Sequence, residues 1–367
     1  KMMKIEVKTE NLLKCLQSVI GVVERKQTMP ILANVLVNIT DGKLSITATD
    51  LEVELISTTT VSSTENGSFT LPGRKLLDIC RALPVTSDLL LQHDASKISI
   101  SSKRSKFSLS TLPENEFPLI KGINDVEVIS VDQSNLKNLI NKTHFSMAQQ
   151  DVRYYLNGLL IESEGTKLRA VATDGHRLAI SDTDLTDSRE GKKQVILPRK
   201  GVIELQRLLD NKERIEVLLG SNHIRVKFDD VCFTSKLIDG SFPEYQRVIP
   251  MNPENKLQVN TEKLKGALSR AAILSNEKYR GIRLIVKKND LVIQAHNPEQ
   301  EQAEEKMDVE YDGIEIEIGF NVNYLIDALN AIDSEDVHLL LMDNNSSCLI
   351  QDTNNSSYKF VVMPMRL

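Results

Sequence analysis

Several residues on which catalytic and metal-binding proteins depend are scarce in this chain. Its 367 residues include four cysteines, six histidines and no tryptophan, and aromatic residues make up 4%. The histidines are scattered, with no HxxxH or HExxH spacing. The cysteines form no CxxC pair and lie among apolar neighbours, which favours buried free thiols over disulfides or metal ligands: Cys15, Cys80, Cys232 and Cys348. We therefore expect no metal site.

Motifs of the common enzymes are also missing. The chain has no Gly-rich phosphate loop and no GxSxG nucleophile elbow. One enzymatic alternative stays open, in which Asp174 and His176 form an acid–base pair. Ser235 or Cys232 would then be the nucleophile, but no third group or oxyanion site is visible. We therefore expect no catalytic residues and no cofactor.

Long apolar runs are absent as well. None approaches the ~20 residues that a membrane helix needs, and Lys1-Met2-Met3-Lys4 leads into an alternating, strand-like stretch instead of a signal-peptide core. We therefore expect a cytoplasmic protein. The net charge of −6 argues weakly against a nucleic-acid partner, because phosphate binding needs Lys and Arg. The argument is weak because the distribution of charge matters more than its sum.

What the chain does contain is a pattern that recurs three times. A β-branched residue, a polar stretch and Leu-x-x-x-apolar begin at Val7, Val131 and Val259, which lie 124 and then 128 residues apart. In each copy the two apolar residues share one helix face: Leu12 and Leu16, Leu136 and Ile140, Leu264 and Leu268. Thr9, Ser134 and Thr261 are the predicted caps of these helices. The pattern predicts three equivalent helices.

Two further landmarks follow each copy in the same order. A second helix is predicted after Leu71-Pro72, Leu197-Pro198 and Phe320-Asn321, and a strand opens at Phe107, Phe233 and Phe360. Short alternating runs bounded by Asn, Asp, Gly and Ser lie between the landmarks and read as strands. The fold class is therefore predicted as α+β, with three similar domains of two helices on a mostly antiparallel sheet. The predicted domains are residues 1–125, 126–253 and 254–367.

The ends of such an array carry opposite charge. Residues 299–317 hold nine acids against the single Lys306, whereas Lys103-Arg104-Ser105-Lys106 lies near the end of the first repeat. Exposed terminal sheet edges invite pairing with another copy, and a head-to-tail contact that closes over two chains produces a ring. Two alternatives remain: the charges belong to solvated faces, or the protein is a monomeric scaffold without DNA.

Five segments resemble one known family. They are residues 145–159 (FSMAQQDVRYYLNGL), 172–178 (ATDGHRL), 197–205 (LPRKGVIEL), 272–281 (AILSNEKYRG) and 361–367 (VVMPMRL). The chain resembles the bacterial DNA sliding clamp, the beta subunit of the DNA polymerase III holoenzyme, from its first helix to its last residue. The resemblance implies the DNA clamp fold and a head-to-tail homodimer that forms a six-domain ring. Such a ring is a non-catalytic processivity factor that slides on duplex DNA and tethers the replicative polymerase, clamp loader, translesion and repair proteins.

The resemblance also implies sequence-independent DNA contacts. It assigns them to Arg25 or Lys26 in the loop after the first helix, since the run Glu24–Gln27 is shifted from the family's usual pattern. In the second domain it assigns Gln150, Arg153, Tyr154 and Tyr155, although Tyr155 fits a core position equally well. Helix cations are candidates for the inner wall of the ring, each equally compatible with a solvated helix face: Lys14, Arg74, Arg81, Lys137, Lys142, Arg199, Lys200, Arg207, Lys265 and Arg270.

A partner-peptide pocket and a ring seam are implied in the same way. The family's pocket between the second and third domains corresponds here to Leu156, Thr173, Gly175, His176, Arg177, Leu178, Pro243, Arg247, Val248, Tyr324, Ser347, Val361, Val362, Met363, Pro364, Met365 and Arg366. For Val361 a buried final strand is the alternative. The family's seam corresponds to apolar Phe107, Leu109, Ile273 and Leu274, flanked by Lys75, Arg104, Lys106, Glu299, Glu301, Glu304 and Glu305.

Overall fold

The structure is a computed structural model that describes residues 3–25, 28–63, 65–94, 96–210 and 213–367. Within these ranges it contains six α-helices and 22 strands in four antiparallel sheets. No helix of the described part is both long and apolar enough to cross a membrane.

The elements follow the predicted three-fold repeat. The first repeat contains β1 Met3–Lys8, α1 Thr9–Val19, β2 Asn34–Thr40, β3 Lys43–Thr49, β4 Val53–Thr60, β5 Gly67–Pro72, α2 Gly73–Ala82, β6 Asp88–Asp94, β7 Lys97–Ser102 and β8 Ser105–Ser110. The second contains β9 Glu127–Asp132, α3 Gln133–Asn141, β10 Gly158–Thr173, β11 Arg177–Pro198, α4 Arg199–Leu208, β12 Arg214–Leu219, β13 His223–Lys227 and β14 Val231–Lys236. The third contains β15 Asn255–Asn260, α5 Thr261–Ala272, β16 Gly281–Lys287, β17 Asp290–His296, β18 Gln302–Asp308, β19 Ile316–Asn321, α6 Val322–Asn330, β20 Asp336–Leu341, β21 Cys348–Asp352 and β22 Tyr358–Val362.

The long strands of the second repeat replace four shorter ones. Residues 158–164 of β10 pair with the second half of β11, and residues 167–173 pair with its first half. The register shifts at Gly165, which has a φ of 58°, a left-handed conformation that glycine adopts without steric cost. The first half of β11 therefore corresponds to β4 of the first repeat and β18 of the third.

The chain divides into two compact units, residues 1–134 with 200–237 and residues 135–199 with 238–367. The first unit holds two sheets, with strand orders β1-β6-β7-β8 and β5-β2-β3-β4-β14-β13-β12-β9. The longer sheet crosses a repeat boundary because β4 pairs with β14, which places Phe233 opposite Leu55. The units therefore do not coincide with the repeats.

The second unit holds sheets with the orders β10-β11-β22-β21-β20-β15 and β18-β17-β16-β19. Here the first half of β11 pairs with β22, and Phe360 lies opposite Ala179. The same junction thus occurs once in each unit: the strand corresponding to β4 pairs with the last strand of the next repeat. The three strands predicted to open at a phenylalanine are β8, β14 and β22, and each begins two residues before that phenylalanine.

The predicted apolar helix faces are confirmed. Leu12 and Leu16 of α1 are fully buried, and the corresponding residues of α3 and α5 are at most 3% exposed. The helices pack in pairs, α1 with α2 and α5 with α6, on the adjoining sheets. All four cysteines are free thiols, of which Cys232 is half-buried and the others are buried.

None of the three predicted helix caps is confirmed, since Thr9, Ser134 and Thr261 all lie inside their helices. The N-cap of α5 is Asn260, whose side chain accepts a hydrogen bond from the backbone N–H of Lys263 at 2.9 Å. Thr261 instead donates its hydroxyl to the carbonyl of Ser334 at 3.0 Å. Thr9 is likewise inside its helix, and its hydroxyl pairs with the Ser87 hydroxyl at 2.8 Å. These buried threonines tie the helix starts to a neighbouring turn.

Candidate functional site

A cavity of about 170 Å³ opens on the second unit. It is lined by Arg153, Tyr155, Leu156, Thr173, Gly175, Arg177, Leu178, Pro243, Glu244, Tyr245, Val248, Val361 and Met363. Its apolar walls are not fully buried, since Val248 is 41% and Met363 40% exposed. Small-molecule pockets usually measure ≈ 300–1,000 Å³. The smaller volume therefore suits one or two apolar side chains of a partner better than a large cofactor.

The turn between β10 and β11 forms one wall of this cavity. A carboxylate oxygen of Asp174 accepts hydrogen bonds from the backbone N–H groups of His176 at 2.8 Å and Arg177 at 3.1 Å. Gly175 has a φ of 90°, and a Cβ added there would meet the Arg153 guanidinium at 2.9 Å. The backbone conformation therefore favours glycine, whereas the flexible Arg153 side chain could move away from an added Cβ. The Asp174 carboxylate stabilises the turn, which leaves the proposed acid–base pair without support.

Arg177 connects this turn to the third repeat. Its guanidinium donates to Asp174 at 3.2 Å and to Asp327 of α6 at 2.6 Å. It also lies 4.4 Å from the ring centroid of Tyr324, within the range of a cation–π contact. Tyr324 therefore stands next to a lining residue and holds it in place without lining the cavity itself.

The floor of the cavity rests on a partly buried polar network. The Tyr245 hydroxyl donates to Glu162 and accepts from Arg169, both at 3.0 Å. Arg169 also makes a two-pronged contact with Asp182 at 2.6 and 2.8 Å. Burial raises the pKa of Tyr245. Burial would also raise the pKa of Glu162, but hydrogen bonds from Gln194, Lys192 and Tyr245 outweigh it and lower this pKa.

The structure brings together nine of the residues predicted for the pocket: Leu156, Thr173, Gly175, Arg177, Leu178, Pro243, Val248, Val361 and Met363. Sequence reasoning missed Glu244 and Tyr245, although the neighbouring Pro243 was assigned to the pocket. Arg153 and Tyr155, which were predicted to contact DNA, also line the cavity. The function of all these positions stays a prediction.

Other predicted pocket residues lie elsewhere. Val362 is 1% exposed and packs in the core of the third repeat, because side chains alternate along β22 and only Val361 faces the cavity. Met365 donates its backbone N–H to Gly319 at 2.9 Å, which directs it to β19. Arg247 is exposed and forms an ion pair with Glu244 at 2.5 Å. His176, Ser347, Pro364 and Arg366 are not among the lining residues.

The residues predicted to contact DNA differ in exposure. Arg25, Arg81, Gln150 and Tyr154 are exposed, and Arg199 is half-buried. Lys26 lies outside the described residues. Arg153 is held by Asp151 at 2.9 Å, and its hydrogen bonds lower the pKa of the Asp151 carboxyl to about 2. Tyr155 is half-buried against Tyr245 and its apolar neighbours, in agreement with the core alternative.

Most of the predicted inner-wall cations are already paired. The prediction for Lys142 is wrong, because this residue is only 5% exposed. Its ammonium donates to the carbonyl of Ala331 at 2.5 Å and pairs with Asp333 at 2.7 Å. The Lys142 ammonium also lies over the Tyr358 ring, so it cannot face a pore. Ion pairs within the chain also involve Lys14 with Asp230, Lys200 with Glu24 and Asp50, Arg207 with Glu204, Lys265 with Glu262, and Arg270 with Glu305. Arg74 donates to the carbonyl of Val23 at 2.5 Å, whereas Lys137 is half-buried.

The residues predicted for the seam lie on and beside two edge strands. Among the described residues, β8 and β18 each have one neighbour in their sheets. Phe107 and Leu109 are half-buried on β8, and Ile273 after α5 is 75% exposed beside the half-buried Leu274. Glu305 is turned towards α5, where it pairs with Arg270 at 2.8 Å. The exposed charges are Lys75, Arg104, Lys106, Glu299, Glu301 and Glu304.

Comparisons with known proteins agree along the whole chain. Family models for the N-terminal, central and C-terminal domains of the DNA polymerase III beta subunit match residues 3–121, 130–244 and 246–366. The beta sliding clamp of Salmonella typhimurium is 51% identical, with 100% of both chains covered. The DNA polymerase III subunit beta of Pseudomonas aeruginosa is 48% identical, with both chains fully covered and a TM-score of 0.97. A sliding clamp of the same organism, solved bound to griselimycin, is 49% identical over the full length of both chains, with a TM-score of 0.96.

Three repeats of one sheet-and-helix unit, with sheets that continue across the repeat boundaries, define a clamp architecture. The chain belongs to the family of DNA polymerase III beta subunits, the bacterial sliding clamps. Proteins of this family are non-catalytic processivity factors of the replicative polymerase. The predicted α+β class with three repeated domains is confirmed.

Proposed function

We propose that two copies of this protein close head to tail into a six-domain ring that slides on duplex DNA in the cytoplasm. The ring would tether the replicative polymerase, the clamp loader and the translesion and repair proteins. Residues 1–125, 126–253 and 254–367 are the proposed domains, a division supported by the separate family models for three consecutive segments.

One observation carries the proposal of the ring. At both internal junctions the strand corresponding to β4 pairs with the last strand of the following repeat. The strands left without such a partner are β18, which corresponds to β4, and β8, the last strand of the first repeat. β8 of one protomer is therefore the expected neighbour of β18 in the other protomer, by the rule that the chain already follows twice. Each pairing would also remove an exposed sheet edge.

The repeat predicts the register of this seam. Phe233 lies opposite Leu55, and Leu55 lies opposite Ala48. In the next junction Phe360 lies opposite Ala179, which in turn lies opposite Ala172. Ala303 in β18 occupies the place that Leu55 and Ala179 hold in their strands, because it lies opposite Ala295 as they lie opposite Ala48 and Ala172.

Transferred to the seam, this register puts Phe107 opposite Ala303 of the partner and Lys106 opposite Glu304 of the partner. Opposite charges at directly facing positions stabilise a strand pair by roughly 0.2–1 kcal/mol. The charges therefore set the register more than they add affinity. Ala303 faces the core of its repeat, so Phe107 would face the same side, near Ile273 and Leu274.

The proposed hold on DNA is topological, which removes the objection from a net charge of −6. A ring that slides needs weak contacts to phosphates without base readout, because base contacts would fix it at one sequence. Arg25, Arg81, Gln150 and Tyr154 are exposed candidates for such contacts. Lys26 stays a candidate from the sequence.

Retention on circular and linear DNA tests the ring. Clamps assembled on a nicked circle by a clamp loader should stay bound through gel filtration at high salt and should leave once the circle is cut. Equal retention on the circular and linear forms would contradict a topological link. Loss from both forms at low salt would contradict the closed ring.

The apolar cavity is the proposed docking site for short peptide segments of partner proteins. Its exposed walls, Val248 and Met363, present apolar surface that a partner's side chain can bury. Methionine is unbranched and polarizable, so that it adapts to several ligands. Arg153, which lines the cavity with a side chain 47% exposed, can donate to peptide carbonyls.

Peptide binding to a Met363→Ala variant tests this site. A labelled peptide with leucine and phenylalanine anchors should bind the variant about tenfold more weakly, since an anchor contact is worth on the order of 1.4 kcal/mol. Met251→Ala is the matched control, because Met251 is 80% exposed and does not line the cavity. Equal losses in both variants, or no loss in Met363→Ala, would exclude the cavity as the site.

A further inference from the structure

One face of α4 holds the loop that follows α1. Lys200, Glu204 and Arg207 lie at spacings of four and three residues, which places them on the same side of the helix. All three contact the segment 17–24, which ends immediately before Arg25. Two of these three side chains were predicted from the sequence to contact DNA.

Arg207 binds the end of α1. Its guanidinium donates to the carbonyls of Ser18 at 2.7 Å and Gln17 at 3.2 Å, and Glu204 fixes its other edge at 2.8 and 3.0 Å. A cation at a helix C-terminus satisfies carbonyls that lack partners within the helix. The Glu204 carboxylate also packs against Gly21, where an added Cβ would approach it to 2.4 Å.

Lys200 binds the next part of the same loop. Its ammonium pairs with Glu24 at 2.6 Å and also with Asp50. The side chain of Lys200 is 30% exposed, and that of Asp50 is 7% exposed. One positive charge thus serves two carboxylates, and the cluster of the three side chains has a net charge of −1. Such a cluster has no surplus positive charge to offer a phosphate.

A third cation holds the loop from another helix. Arg74 of α2 donates to the carbonyl of Val23 at 2.5 Å. The residues on the N-terminal side of Arg25 are thereby held at Ser18, Val23 and Glu24, whereas Arg25 itself is exposed.

We propose that Lys200 and Arg207 are positioning residues, which hold the loop so that the exposed Arg25 meets DNA phosphates. The inference rests on the proposed DNA-encircling function. Under this proposal Lys200 and Arg207 do not contact DNA themselves, and they affect DNA binding only through the position of the loop.

A double-mutant cycle in the intact dimer tests the assignment. The affinity for a short linear duplex, which can thread the closed ring, is measured over a range of salt concentrations for three variants. These are Lys200→Met, the loop variant Arg25→Ala with Lys26→Ala, and the two combined. Each lost phosphate contact makes the negative slope of log K against log salt shallower by about 0.9. Loss of a positioning residue should make the slope shallower as the loop variant does, and the combined variant should lose no more than the loop variant alone.

Additive losses would overturn the proposal, because they would make Lys200 an independent phosphate contact. An unchanged slope in Lys200→Met beside a reduced slope in the loop variant would overturn it as well. If the loop variant lost nothing, the inference would fail while retention of the wild-type ring on circular DNA still upheld the proposed function. Loss of that retention in the wild type would instead overturn the proposed function.

A milder variant covers the case in which Lys200→Met does not fold. Glu24→Gln keeps the pair of Lys200 with Asp50 and releases only the loop, so that DNA affinity should fall. Glu52→Gln is the matched control, since it removes an exposed acid close to Asp50. If Lys200 contacted phosphate directly, Glu24→Gln would free it and would raise affinity above that of Glu52→Gln, which is the opposite sign.

Discussion

The register of the proposed seam can be tested by a disulfide between protomers. If Phe107 faces Ala303 of the partner, the antiparallel pairing puts Ser108 opposite Gln302 of the partner. Both residues are exposed in the protomer, so cysteines at these positions should leave the fold intact. Directly opposed residues have Cα atoms about 4.5 or 5.5 Å apart, and a disulfide spans ≈ 4.4–6.8 Å. The variant Ser108→Cys with Gln302→Cys should therefore cross-link at both seams of the ring.

A control pair differs only in register. Ser108→Cys with Glu304→Cys puts the thiols on diagonal neighbours, whose separation of roughly 7–8 Å exceeds the reach of a disulfide. Mild oxidation followed by a non-reducing gel separates the covalent dimer, twice the 41.2 kDa chain mass, from the monomer. Cross-linking of the diagonal pair in preference to the opposed pair would refute the register that we transferred from the two internal junctions. Absence of cross-linking in both pairs would refute the pairing of β8 with β18.

Three further outcomes are expected. Ile273→Ala with Leu274→Ala should yield monomers by sedimentation without a large loss of protomer stability, because Ile273 is 75% exposed in the protomer. The lost burial, about 1.5–3 kcal/mol for a large aliphatic side chain, lies mainly at the seam. An intact dimer would contradict this expectation. Lys142→Met should lower the free energy of unfolding by about 1–3 kcal/mol, since the Ala331 carbonyl loses its donor. The salt dependence of DNA binding should stay unchanged. A weaker salt dependence in this variant would instead indicate that Lys142 contacts DNA. Burial lowers the pKa of His144, His223 and His338 below 6.5. Because the unfolded chain then binds protons at a higher pH than the folded chain, thermal stability should fall as the pH drops below about 6.5. His144→Phe should flatten this dependence, and an unchanged pH profile in that variant would contradict the contribution of His144.

The repeat and its elements could be predicted from the sequence because their signals are local. A leucine pair four residues apart on a helix face, as in Leu12 and Leu16, needs no knowledge of the partner surface to predict burial. The exact cap was not predictable in the same way. Asn260 and Thr261 are both good caps by residue type, and Thr261 was removed from that role by the distant carbonyl of Ser334.

Charged side chains mark the limit of sequence reasoning. Nothing in the local sequence distinguishes Lys142, buried against Ala331 and Asp333, from an exposed helix lysine. The pairing of Lys200 with Asp50 joins residues 150 positions apart. Ion pairs of this kind depend on how the helices and loops of different repeats meet, and only the tertiary structure supplies that.

The sequence by itself determined the three-fold repeat, the helix faces and the family, because hydrophobic periodicity and long motifs are local to the chain. Through the family resemblance it also indicated nine residues that line the cavity. Only the tertiary structure decided that Val361 faces the cavity while Val362 faces the core, and that Tyr245 forms the floor above Glu162. The proposed register of the seam likewise depends on strand pairs that only the folded chain shows. Side-chain direction and pairing between distant strands are properties of the folded chain, and these decide which of the predicted residues can act.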